Sequence, residues 1–137
     1  MIHLNTVATQ IGLPLNNPSR AYNTRLAQEM GKWAEEQGKG DEFNLAAFQS
    51  YFVKTQDISN SSVLIDLAES IGLSREEAKH TIENRMFREE VDADWSYSKK
   101  MMVTAVPTFL VNQKKLVGAQ SYEALKKFML DSHMQKR

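Results

Sequence analysis

One short stretch, Val103 to Val117, restricts the fold more than any other, because there the sequence stops reading as helix. Pro107 cannot donate to an interior sheet ladder. The β-branched and aromatic run Thr108-Phe109-Leu110-Val111 behind it predicts a strand that begins just after the proline. Asn112-Gln113-Lys114 is a short polar turn and Lys115-Leu116-Val117 a second run, so the pair predicts an antiparallel hairpin that ends at Gly118. An isolated two-stranded hairpin is marginal in water. The core must therefore come from helices.

Helical spacing supplies them. Leu4, Val7, Ala8 and Ile11 before Gly12 predict a short opening helix, preferred over a brief strand-like alternation of Ile2, Leu4 and Thr6. Asn16-Asn17-Pro18-Ser19 is a helix-start signature, with Asn17 as cap and Pro18 where a missing N–H costs nothing. It predicts a long helix to about Gln37, with Tyr22, Leu26, Met30 and Trp33 on the core face and Arg25, Glu29, Lys32 and Glu36 mostly elsewhere. After Gly38-Lys39-Gly40-Asp41, with Asp41 available as the next cap, residues 42–54 carry Leu45, Phe48, Tyr51 and Phe52 as a packing face. Asn60 and Gly72 bracket a third helix bearing Val63, Leu64, Leu67, Ala68 and Ile71, and Ser74 with Glu77 forms a capping box for a fourth. That fourth helix carries Ala78, Ile82 and Met86 and is expected to continue, with a bend, through Val91, Trp95 and Lys99. Ser121 caps a last helix with Tyr122, Leu125, Phe128 and Met129 on one face and the basic Lys136-Arg137 tail near its C-terminal dipole. The fold class is thus mainly α with a small β-hairpin (α+β).

At 137 residues this is expected to be a single domain, 1–137, with a helical part over 13–100 and a β-β-α part over 101–137. Lys plus Arg and Asp plus Glu are 17 each, and the basic pairs Lys99-Lys100, Lys114-Lys115 and Lys126-Lys127 lack interleaved aromatic residues, which argues against a nucleic-acid partner. No apolar stretch approaches the roughly 20 residues of a membrane span, and no signal peptide opens the chain, so a cytoplasmic protein without membrane association is expected. There is no cysteine, which excludes a disulfide framework, a thiol nucleophile and a thiolate metal site. His3, His80 and His133 are scattered, and the acidic cluster Glu89, Glu90, Asp92 and Asp94 reads as a solvated helix face. No catalytic residue, metal ligand or cofactor site is predicted.

Val103-Thr104-Ala105-Val106-Pro107-Thr108-Phe109, followed by the hairpin and then by Leu116-Val117-Gly118-Ala119-Gln120-Ser121-Tyr122-Glu123-Ala124-Leu125, resembles the C-terminal end of the DsbA-like thioredoxin family. Tyr22-Asn23-Thr24-Arg25-Leu26-Ala27 and Lys32-Trp33-Ala34-Glu35-Glu36-Gln37-Gly38 resemble the helical insertion of its FrnE-type branch, related to 2-hydroxychromene-2-carboxylate isomerases. The resemblance implies a helical insertion bundle joined to the C-terminal β-β-α half of a thioredoxin fold. By the same resemblance, Val106-Pro107 is expected to be cis, and Val106, Pro107 and Thr108 to form a loop whose Val106 backbone faces a substrate or partner. Gln113 stands where relatives often place Gly, which leaves the turn type and the strand register open.

The resemblance also exposes a departure. The family opens with a β-α-β unit carrying Cys-x-x-Cys, or Ser in the isomerase-like branch. Such a unit needs about 30 residues or more, while sixteen precede Asn17. A chain that starts late, or a piece of a longer protein, is the expectation. Resemblance implies a thiol–disulfide oxidoreductase relative that is redox-inactive for want of cysteine, or a glutathione-dependent isomerase relative; the apolar helical face and the Pro107 loop leave as a further alternative a non-catalytic module that binds a peptide or protein partner, or a dimeric remnant. The open hairpin edges further predict a homodimer.

Overall fold

The computed structural model describes residues 2–132, and the tail around Lys136-Arg137, with His133, lies outside them. Among the described residues the chain forms α1 (Ile2–Gln10), α2 (Arg25–Glu36), α3 (Gly40–Phe52), α4 (Ser61–Ser70), α5 (Arg75–Glu83), α6 (Arg88–Lys100), β1 (Thr108–Val111), β2 (Lys114–Val117) and α7 (Tyr122–Asp131). It divides into two compact units, one up to Ala93 and one from Asp94 onward, so that α6 contributes to both. No helix among the described residues is long and apolar enough to cross a membrane.

The first unit is built on α2, α3, α4 and α5. Met30, Ala34, Phe43, Leu64, Ala68 and Ala78 are fully buried at its centre, with Trp33 and Ile82 beside them. Local chemistry sets most boundaries. The Asn60 side chain accepts the Ser62 N–H at 2.8 Å to start α4, and the Ser74 hydroxyl accepts the Glu77 N–H at 3.3 Å to start α5. Gly72, at φ +87°, ends α4 in the left-handed conformation that glycine adopts without a Cβ clash. Gly40 is required by proximity, since a Cβ there would lie 2.5 Å from Cγ of Glu35.

Four expectations are corrected here. The long helix begins at Arg25, not after Asn17, because Asn16 serves another element. Its N–H donates to the Phe52 carbonyl at 2.7 Å and its side-chain amide donates to the Val53 carbonyl, so it ties residues 13–24 to the end of α3. The start of α2 uses Asn23 instead, whose Oδ1 accepts the Arg25 N–H at 2.9 Å. Asp41 lies inside the first turn of α3, where its charge suits the dipole, while Lys39 occupies the cap position without a side-chain bond. The buried face of α3 is Phe43, Ala47 and Ser50, and Leu45, Phe48 and Phe52 are exposed. Finally, α5 does not bend into α6 but stops, with Arg85 at φ +49° between them.

In the second unit β1 pairs antiparallel with β2 in the register Thr108↔Val117 to Val111↔Lys114. The turn is shorter than expected: Lys114 belongs to β2, and Asn112 and Gln113 alone form the loop, both at positive φ (46° and 67°). Two successive positive φ values characterise the hairpin turn whose twist matches the strands. Ser121 caps α7 by accepting the Ala124 N–H at 3.2 Å. On α7, Leu125 and Phe128 are half-buried, while Tyr122 and Met129 of the expected packing face are exposed.

Candidate functional site

The loop before β1 brings the three residues expected from the resemblance to one exposed corner of the second unit. The Val106-Pro107 peptide bond is cis. Two hydrogen bonds fix the loop around it. Thr108 donates its hydroxyl hydrogen to the Ala105 carbonyl at 2.6 Å, and the Gly118 N–H donates to the Pro107 carbonyl at 2.8 Å, which extends the ladder past the end of both strands. On the approach side, the Val103 N–H donates to the Ser98 carbonyl at 3.0 Å at the end of α6, and Lys115 Nζ donates to the Met102 carbonyl at 3.1 Å. The far end of the hairpin is held to the end of α7 by Asn112 Nδ2 on the Ser132 carbonyl (2.8 Å) and Lys114 Nζ on the Asp131 carbonyl (2.6 Å).

Val106 itself is left outside this bracing. It is 87% exposed, and among the described residues no hydrogen bond engages its N–H or its carbonyl. An apolar side chain in water beside an unused donor and acceptor offers both contacts that an extended polypeptide makes: backbone pairing for affinity and a side-chain contact for selection. Apart from the hydroxyls of Thr104 and Thr108, the latter giving its proton to the Ala105 carbonyl, the loop holds no acid, base or nucleophile of its own.

The most perturbed carboxylate lies elsewhere. Glu29, 3% exposed in the middle of α2, accepts from Arg85 Nε (2.7 Å), Arg85 Nη2 (2.7 Å) and Arg25 Nε (2.8 Å). The bonds from Arg85 hold its pKa below the ordinary carboxylate value, against burial, which raises it, and Arg25 adds to the lowering. Arg25 in turn reaches Asp92 Oδ1 at 2.7 Å and the Arg88 carbonyl at 2.8 Å. Sequence reasoning placed Glu29 off the core and Asp92 on a solvated face. The Arg25–Glu29 spacing of four was visible, but Arg85 lies 56 residues from Glu29 and no local pattern joins them. With its oxygens occupied by three N–H donors, this carboxylate is a structural tie between α2, the α5–α6 junction and α6. Among the described residues no group of His, Asp and Glu could hold a metal ion.

The fold agrees with what comparison with known proteins finds. A family model, the DSBA-like thioredoxin domain, matches residues 1–130. The uncharacterized protein YwbO of Bacillus subtilis (strain 168) is 29% identical over 133 residues, covering 95% of this chain and 66% of that protein. A solved structure of 2-hydroxychromene-2-carboxylate isomerase superimposes with a TM-score of 0.76 at 20% identity, covering 96% of this chain and 62% of the isomerase. The chain thus spans a little under two thirds of the length of either.

Proposed function

The chain belongs to the DsbA-like thioredoxin domain family, and from that premise we propose that it is a polypeptide-binding member whose Val106–Thr108 loop receives an extended segment of a partner. We further propose that it performs no thiol–disulfide exchange by itself. The observation that carries the first part is Val106, exposed and with its main-chain groups unengaged among the described residues. The second part rests on chemistry: exchange proceeds by attack of a thiolate on a disulfide sulfur, and this sequence contains no cysteine. A hydroxyl could substitute only with a base to activate it, and the Thr108 hydroxyl is committed to a carbonyl. The likeness to the isomerase concerns the fold and brings no substrate with it.

The test pairs binding with turnover. Carboxymethylated insulin B chain, an extended peptide whose thiols are blocked, is titrated against the protein and followed by fluorescence anisotropy. Saturable binding is expected. The Val106→Pro variant, which loses the N–H, should weaken it at least tenfold with the circular dichroism unchanged. In an insulin-reduction assay the protein should add nothing to the rate given by dithiothreitol alone. Absence of saturable binding, or equal binding by the variant, would sink the first part, and a rate above the dithiothreitol background would sink the second.

A further inference from the structure

The face of α3 that the core does not use carries a separate consequence. Leu45, Phe48 and Phe52 on α3 face Leu4 and Ile11 on α1 and Leu13 just after it, across an open apolar groove of about 410 Å³. All six are large and exposed, Phe48 to 60%. Together they present on the order of 700 Å² of apolar surface, taking the ordinary area of a large apolar side chain. The largest apolar patch on a typical monomer is about 300–600 Å², whereas a standard stable interface takes about 800 Å² from each partner. The area is that of an interface.

Charge narrows the occupant. Residues 2–19 contain no Asp, Glu, Lys or Arg, and the α3 residues lining the groove are uncharged as well. The residues that line the groove thus offer a charged partner nothing to pair with and an anionic lipid surface no basic side chain. A second copy of the same face meets no like-charge repulsion, which matters at a two-fold interface because it places the same patch on both sides.

We propose that the α1–α3 groove is the contact surface of a symmetric homodimer of this chain. The hairpin has fewer exposed large apolar side chains, Val106, Phe109 and Val117, and it stays available for the binding proposed above.

Sedimentation velocity over a wide concentration range should show the mass of two chains, shifting to one chain on dilution. Ile11→Glu combined with Phe48→Glu should remain monomeric at the highest concentration, with the unfolding midpoint close to that of the parent when both are measured at a concentration where the parent is monomeric, because both side chains are exposed there. Should that variant fail to fold, single cysteines introduced into the cysteine-free chain give an independent answer. Gln49→Cys, on the groove, should be cross-linked by a bis-maleimide into a dimer, while Glu76→Cys on α5 should not. A monomer at every concentration, a dimer that survives both glutamates, or equal cross-linking at the two positions would overturn the proposal. So would a monomer that instead co-sediments with phosphatidylcholine vesicles, which would assign the groove to lipid.

Discussion

Arg85 holds the Glu29 carboxylate with two parallel hydrogen bonds of 2.7 Å while its own backbone sits at φ +49°. The unusual backbone and the ion pair belong together. A left-handed residue ends α5 and turns the side chain inward, and α6 restarts only three residues later, at Arg88. The strain of a non-glycine residue in that region, about 1 kcal/mol or more, is offset by a bidentate, charge-assisted contact.

Removing Arg85 should therefore be costly. Arg85→Ala leaves Glu29 buried with only Arg25, and because Arg85 is itself partly exposed it is expected to lower stability by about 1–2 kcal/mol in urea unfolding. An exposed ion pair, such as Lys79 with Glu83, should cost under about 1 kcal/mol when its lysine is replaced.

The same pair sets a pH dependence. The pKa of Glu29 is lowered in the folded state from an ordinary value near 4.5. Its contribution is therefore fully present above that value and is lost as pH falls through the lower, folded-state value, because the unfolded chain takes up the proton more readily. The urea midpoint measured from neutral pH down through the carboxylate range should fall more for the parent protein than for Glu29→Gln, which starts less stable.

Phe43 and Phe48 lie five residues apart on α3 and should respond in opposite ways. Phe43→Ala empties a fully buried site and is expected to cost about 3–5 kcal/mol. Phe48→Ala, at an exposed site, should cost under about 1 kcal/mol when measured at a concentration where the chain is monomeric.

Gln113→Gly should stabilise the hairpin. Gln113 holds φ +67° as the second residue of the two-residue turn, a position where glycine removes a penalty of about 1 kcal/mol. A rise in the thermal midpoint of unfolding would bear this out, and a fall would mean that the turn is not left-handed at Gln113.

Sequence patterns disclosed the helices and the hairpin because the signals there are local. Asn60, Ser74 and Ser121 bond to amides two or three residues away, and the strand-forming run after Pro107 needs no distant partner to be recognised. The family was legible for the same reason, through contiguous runs around Pro107 and after Leu116. Apart from local boundaries such as the cap of α3 and the length of the hairpin turn, what failed were features decided by a distant contact. Asn16 and Asn17 carry the composition of a cap, yet Asn16 bonds 37 residues away. Glu29 has the composition of a surface residue, yet Arg85 makes its burial tolerable. The apolar residues of α3 form two faces, and only the positions of α2 and α4 decide which becomes core. Val106, Pro107 and Thr108 are named as a binding loop by resemblance alone; their residue types carry no catalytic chemistry that would single them out.

The bonds from Asn16 to the carbonyls of Phe52 and Val53 close the chain on itself, so that α2 and α3 lie within a loop of 37 residues sealed at its mouth. A helix end is usually finished by the glycine that follows it; here the finishing group arrives from upstream of both helices. The last turn of α3 cannot unwind without opening the ring at Asn16. Ring closure thus ties order at the end of α3 to order in the segment that precedes α2.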